Sequence, residues 1–353
     1  MSLRNCKLCN YRMIFPLRRF PKILSSYSTM PKSSPDSPMH VFDRQSKFLQ
    51  KERAAHLPEP QVYDYLKDEV GFRLADRIFD IKRKFKLAID LGCGRGHVTK
   101  NVTADAVEKL IICDSSPTQL KQAASPEEGV AFERVLLDEE SSFPFKDNSA
   151  DLVISNLSLH WVNDLPGVFS KIKNCLVNDG VLLLSLFGGD SLYELRCSLQ
   201  LADLERKGGI SPHISPFVKP QDLASLLHRC GYNMITIDVD EICIGYPSMF
   251  ELMNDIKGMG ENNAARKRSA HLDRDTMFAA AAIYQELYGK EEEDGGGGGV
   301  PATFQILYAV AWKPDPSQPK PAQRGSGQVS LKDIGRLDQI AEKTGKIDLG
   351  KSE

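Results

Sequence analysis

Leu87-Ala88-Ile89-Asp90-Leu91-Gly92-Cys93-Gly94-Arg95-Gly96 is the stretch on which the reading of this chain turns. Its first half is an apolar run closed by a carboxylate, the pattern of a buried parallel strand. Its second half places glycine at every other position, so the backbone can turn sharply and approach a ligand without Cβ atoms in the way. The spacing predicts a helix over residues 97–110 whose N-terminus would face that ligand. Strand, glycine turn and helix together describe a nucleotide-type cradle in an α/β sheet.

Downstream, strands are expected over residues 109–113, 130–137, 150–155 and 181–187, the first two ending at Asp114 and Asp138. A helix over 164–176 would be closed by Gly180 in a C-cap position. Strands that alternate with helices at this spacing predict a doubly wound, mostly parallel sheet. Further helices are expected over 190–206, 220–230, 246–260 and 273–287. Strands over 233–244 and 304–312 complete a seven-stranded Rossmann-like domain spanning 87–313, the last strand lying antiparallel beside the one before it. Helical insertions at 188–230 and 246–288 are expected to roof the pocket. Ahead of the domain, residues 36–86 read as a Ser- and Pro-rich linker and two amphipathic helices, over 41–56 and 62–80. These helices either cover a cofactor pocket or only pack against the sheet. Glu291 to Asp294 and the five glycines after them read as a solvated loop, and residues 314–353 as a mobile tail.

Charge is unevenly distributed. The 353 residues carry a formal charge of −2, with 41% hydrophobic and 26% charged residues. Residues 1–35 hold seven of the 45 bases and no acid, which leaves 38 bases against 47 acids, or −9, for the rest. An Arg-rich, acid-free leader of this kind has the composition of a mitochondrial presequence. The acidic remainder argues against a nucleic-acid partner. No run approaches the roughly 20 apolar residues of a membrane span. The eight cysteines are scattered, only Cys6 and Cys9 are close, and neither a zinc site nor a disulfide framework follows.

Asp114 lies 22 residues after Gly92, where an acid can hold ribose hydroxyls. Asp90, just before the turn, would repel a pyrophosphate but attract an amino acid ammonium. Asp138 is placed to accept from an adenine amino group. Helix capping explains any one of these acids but not the set, and the set favours S-adenosylmethionine over a nicotinamide dinucleotide.

Asp90 to Gly96, Asp114, and Asp138-Glu139 before Phe143-Pro144-Phe145 resemble the Rossmann-type S-adenosylmethionine-dependent methyltransferases. Residues Ser155 to Leu165 and Phe187 to Arg196 are similar to bacterial malonyl-carrier-protein methyltransferases. They resemble still more closely the mitochondrial NADH:ubiquinone oxidoreductase complex (complex I) assembly factor 5 family. That resemblance runs from about Phe42 to Trp312 and includes Gly208 to Phe217 and Met249 to Met253. It implies S-adenosylmethionine held by Asp90, Gly92, Cys93, Gly94, Gly96, Asp114, Asp138 and Asn156. It also implies a matrix protein, in possible peripheral contact with the inner membrane, that hydroxylates an arginine of an iron–sulfur subunit of complex I early in assembly, beside other assembly factors. Methyl transfer to a protein side chain or carrier-bound carboxylate, and a non-catalytic chaperone role, stay open as alternatives.

His160 reads either as a base or substrate contact at the cofactor's reactive end, or as a packing histidine beside Trp161. Tyr193 and Glu194 follow the fifth strand, where a substrate would approach; Glu194 is a candidate partner for a substrate guanidinium. His271-Leu272-Asp273 matches a fragment of an iron-oxygenase triad but opens a helix away from the cofactor edge, so no metal ligands are assigned.

Overall fold

Five parallel strands pair side by side in one sheet, most of them largely apolar and the third, at the sheet's edge, carrying Glu133 and Arg134. They are β1 (Phe85–Leu91), β2 (Val107–Asp114), β3 (Ala131–Leu136), β4 (Ala150–Asn156) and β5 (Leu176–Phe187). The computed structural model describes residues 40–269, 271–289, 299–320 and 324. The expected presequence, the 33–39 linker, the acidic and glycine-rich loop at 291–298, and the tail at 321–323 and 325–353 lie outside the described residues.

Two more strands, β6 (Asn233–Tyr246) and β7 (Val300–Trp312), complete the sheet among the described residues, in the order β3-β2-β1-β4-β5-β7-β6. As expected for the last strand, β7 runs antiparallel beside β6, and it is inserted between β5 and β6. The strand order reverses between β1 and β4, which puts a crevice at their carboxyl ends.

Alternate side chains of each central strand enter opposite cores. On one face, Ala88, Leu110, Ile154 and Leu183 meet α2 (Tyr65–Phe79), α5 (Tyr193–Lys207), α7 (Met249–Gly258) and α8 (Arg274–Tyr288). On the other, Ile89, Ile111, Val153 and Leu184 meet α4 (Leu165–Cys175) and α6 (Pro220–Arg229). The first insertion therefore divides across the sheet, α5 on one face and α6 on the other. It does not roof the pocket as a unit. The cover comes instead from α1 (Arg44–Ala55), the loop before α6 and the segment after α7.

Two other expectations are corrected. The helix over residues 97–110 is absent: only a short 3-10 turn, Thr99–Asn101, precedes β2. Val98, Thr99, Val102 and Thr103 are β-branched and poor helix formers. Asn101 Nδ2 also donates to the His97 carbonyl at 3.0 Å, an alternative to the helical ladder. Gly180 is not a helix cap. Leu176 already pairs with Ala150, so Asn178-Asp179-Gly180 forms a register shift within β5, which Arg83 braces by donating to Asp179 Oδ2 at 3.0 Å.

Phe169, fully buried beneath the β4–β5 face, also accepts at its carbonyl from the Tyr232 hydroxyl at 2.9 Å. Phe169→Ala is expected to cost about 3–5 kcal/mol through the cavity it opens. Urea unfolding followed by circular dichroism checks this, and the slope should be unchanged.

Candidate functional site

The glycine turn closes through its own backbone. Gly92 N and Cys93 N donate to the Cys113 carbonyl at 2.8 and 2.9 Å, and Gly96 N returns to Cys93 O at 2.9 Å. Gly92 has φ +76°, and a Cβ there would lie 2.2 Å from Ser158 Oγ, so the β4 loop needs a glycine at this position. Gly94 has φ +57° and the opposite surroundings, since a Cβ would meet nothing nearer than the His97 ring at 3.5 Å. The turn is thus tightly packed at Gly92 and less crowded at Gly94, where a Cβ would make only ordinary contacts with the His97 ring and the Gln119 side chain.

Acids line this turn. Asp114 accepts from Gly94 N at 3.0 Å through Oδ2 and from Ser116 N at 2.8 Å through Oδ1. Asp90 is 1% exposed; its Oδ2 accepts from Thr99 Oγ1 at 3.1 Å, while its Oδ1 has no hydrogen-bond partner among the described residues. Burial, reinforced by the nearby Asp114 and only partly offset by Thr99, pushes the Asp90 carboxyl up to about 7. Cys93 is buried and its thiol pushed well above the usual range, so it stays protonated and serves the cradle by shape.

The decisive groups that sequence reasoning missed are cations on α1. Arg44, Lys47 and Lys51 recur at spacings of three and four, which places them on one helix face. Arg44 Nη2 donates to Asp138 Oδ1 at 2.8 Å and to Glu139 Oε2 at 2.6 Å. Lys51 Nζ lies 3.4 Å from both oxygens of Asp114 and 3.9 Å from Glu139 Oε1. Asp138, expected at the adenine end, also accepts from Glu140 N at 2.9 Å and stays partly exposed. Glu139 is the residue that turns inward, where Ser158 Oγ donates to it at 2.8 Å. Burial alone would raise its carboxyl, but Lys51 and Arg44 outweigh that and hold it at about 2. The signal available in the sequence was this cationic stripe facing a chain with excess acid.

On the β4 side, Asn156 Oδ1 accepts from Ser185 Oγ at 2.7 Å and its Nδ2 donates to the Lys67 carbonyl at 3.1 Å. His160 packs among Trp161, Phe187 and Phe217, with ring centroids 5.1, 4.9 and 5.9 Å away. Burial pushes its imidazole down to about 4 against the opposing pull of Glu261, so it is neutral. Neither ring nitrogen has a hydrogen-bond partner among the described residues, and Glu261 Oε2, at 3.9 Å, is too far for one. Glu261 itself accepts from Lys67 Nζ at 2.6 Å, Trp161 Nε1 at 2.7 Å and Lys47 Nζ at 2.8 Å.

The residues after β5 do not join this cluster. Glu194 is 1% exposed, and both its oxygens are taken by Thr303, from Oγ1 at 2.5 Å and from N at 3.2 Å. It ties α5 to β7 and does not present a carboxylate to a substrate. Tyr193 is 42% exposed and stacks edge-on with Tyr288, 6.0 Å between centroids. Arg196 donates to the Gly189 and Ser191 carbonyls at 2.9 and 3.0 Å. His271 is exposed, with Asp273 at 3.7 Å. Among the described residues no group of His, Cys, Asp or Glu side chains has metal-binding geometry, and no helix is long and apolar enough to cross a membrane.

Four similarities to known proteins bear on the site. A methyltransferase-domain family profile matches residues 89–184, from β1 into β5. The mitochondrial arginine-hydroxylase NDUFAF5 of Homo sapiens is 50% identical over 319 residues, 90% of each chain. That of Dictyostelium discoideum is 41% identical over 321 residues, 86% of this chain and 73% of that one. More distantly, the malonyl-[acyl-carrier protein] O-methyltransferase of Methylovorus sp. (strain MP688) is 30% identical over 257 residues, 70% of this chain and 82% of that one.

Two outcomes are expected of this arrangement. An Asp90 carboxyl raised from 3.8 to about 7 favours the folded state only while it stays protonated, so its contribution is full below pH 4 and lost as pH rises through 7. Asp90→Asn should remove that loss, on the order of 4 kcal/mol at neutral pH; unfolding free energies of both proteins from pH 4 to 8 check it. Glu194→Ala leaves the Thr303 donors buried and unpaired and should cost about 2–3 kcal/mol in the same assay.

Proposed function

The chain belongs to the mitochondrial arginine-hydroxylase family represented by NDUFAF5, and from that membership we propose that it hydroxylates an arginine of a protein substrate while holding S-adenosylmethionine in the glycine cradle. The observation that carries the activity is 50% identity across nine-tenths of both chains. The observation that supports the cofactor is the cradle itself. It has an unpartnered, buried Asp90 Oδ1, a glycine at 94 whose side-chain position no backbone crowds, and Asp114 at the adjoining strand end.

These residues fit the ligand group by group. Asp90 suits the ammonium of the methionine moiety, which would return its raised carboxyl to the ionised form. Asp114 suits the ribose hydroxyls, and the Asp138–Glu139 corner would face the adenine. When bound, S-adenosylmethionine supplies a sulfonium charge and an electrophilic methyl group. The chain's own contribution lies on the β4 side. Phe187, Phe217 and Trp161 exclude water, and neutral His160 keeps a nitrogen lone pair available to a proton or a donor. The family resemblance and the basic leader support a matrix location and an iron–sulfur subunit of complex I as substrate, with assembly factors and the inner-membrane face as neighbours.

Methyl transfer is the second reading, favoured by the methyltransferase profile and the 30% identity to a carboxylate methyltransferase. Mass spectrometry of the matrix iron–sulfur subunits from cells with and without this protein separates the readings. A gain of one oxygen on an arginine is the expected result. A gain of CH₂ would replace it with methylation, and no difference would leave a chaperone. Asp90→Asn should weaken S-adenosylmethionine binding by roughly tenfold or more in calorimetry, since a charge-assisted contact is lost.

A further inference from the structure

Lys47 sits in a cage whose parts would serve another cation better. Its ammonium donates to the Gly260 carbonyl at 2.7 Å and to Glu261 Oε2 at 2.8 Å, and it lies 3.5 Å from the centroid of the Trp161 ring. An aromatic face, a carboxylate and a carbonyl around one point are a cation-recognition set. The set is buried: Lys47 is 2% exposed, and Trp161 and His160 close the other side. It also lies where the sheet expects a substrate, because Trp161 follows β4 beside the strand-order reversal and Lys67 links Glu261 to Asn156.

We propose that Glu261 and the face of Trp161 form the subsite that receives the guanidinium of the substrate arginine, with Lys47 as a resident stand-in that leaves when that side chain enters. The inference rests on the arginine-hydroxylase reading. A guanidinium is planar, stacks on an indole and pairs with a carboxylate in two parallel bonds, none of which a lysine ammonium does as well. Glu261 survives the exchange, since Lys67 Nζ at 2.6 Å and Trp161 Nε1 at 2.7 Å remain with it. Lys47 is also the costly tenant. Burial, with Lys67 and Lys51 nearby and despite Glu261, pushes its ammonium down to about 7, whereas an arginine stays charged. Arg44 contrasts with it. Held between Asp138 and Glu139, its guanidinium is raised above its usual range, so that end of α1 is the anchor and Lys47 the part that yields.

The test uses the full chain and N-acetyl-L-arginine amide as probe, read by tryptophan fluorescence, with N-acetyl-L-citrulline amide as the uncharged isostere. Lys47→Met is expected to bind the arginine probe at least about tenfold more tightly than the parent chain, with no gain for citrulline, and Glu261→Gln added to it should erase the gain. Equal binding by parent and Lys47→Met, or a gain that survives Glu261→Gln, overturns the proposal. If the double variant does not unfold cooperatively, Glu261→Asp in the Lys47→Met background replaces it. It keeps the charge, so preference for arginine over citrulline is expected at lower affinity, and loss of that preference overturns the subsite. The underlying reading fails separately. If the parent chain leaves no oxygen on the iron–sulfur subunits while Lys47→Met still gains arginine, the hydroxylase assignment falls and the guanidinium cage stands.

Discussion

Carboxylates gathered at the ends of parallel strands, out of water, must find countercharge inside the protein or give up their own charge. That constraint shapes the crevice between β1 and β4. Five acids from four parts of the chain (Asp90, Asp114, Asp138, Glu139 and Glu261) converge there. One helix face answers most of them, with Arg44, Lys47 and Lys51 of α1 reaching down onto Asp138, Glu139, Glu261 and Asp114. A buried ion pair contributes little net stability, because desolvation offsets its Coulomb energy, but an unpaired buried charge is expensive. The pairing therefore acts mainly on position: α1 is held over the crevice because the acids beneath it require cations.

The same constraint separates the acids by role. Glu139 and Asp90 are both buried near the glycine turn, and burial raises both. Glu139 has Arg44 and Lys51 beside it and falls to about 2; Asp90 has only the Thr99 hydroxyl and rises to about 7. One is a structural anion satisfied within the chain. The other keeps an oxygen with no hydrogen-bond partner among the described residues, which is the observation the cofactor proposal rests on. On the β4 side, Glu261 is oversupplied with donors, from Lys47, Lys67 and Trp161. A carboxylate with that many partners can exchange one of them without becoming an orphan.

Much of the fold was legible in the residues. The apolar runs at 87–91, 109–113, 150–155 and 181–187 are strands because continuous burial on both faces demands unbroken apolar sequence. The alternating run at 233–244 is an edge strand because half of it meets solvent. Where local reading failed, a longer-range partner or a local competitor decided. Leu176 extends early because it pairs with Ala150, so Gly180 never caps a helix. Residues 97–110 stay short because β-branched side chains and the Asn101 bond to the His97 carbonyl oppose a helix. Glu194 looks available beside the fifth strand, yet Thr303, 109 positions away in sequence, takes both of its oxygens.

By itself the sequence determined the cradle: Gly92 and Gly94 with acids at 90, 114 and 138 require only strand ends, and strand ends are written in local apolar pattern. Only the tertiary structure decided which charges meet. Arg44, Lys47 and Lys51 read along the chain as the solvated face of an amphipathic helix, and Glu261 as a polar residue after one. Their pairing depends on α1 and the end of α7 arriving at the same crevice, across more than two hundred residues between Lys47 and Glu261. A charge does not reveal its partner through neighbouring residues, because Coulomb attraction acts through space while sequence pattern reports only what lies a few residues away.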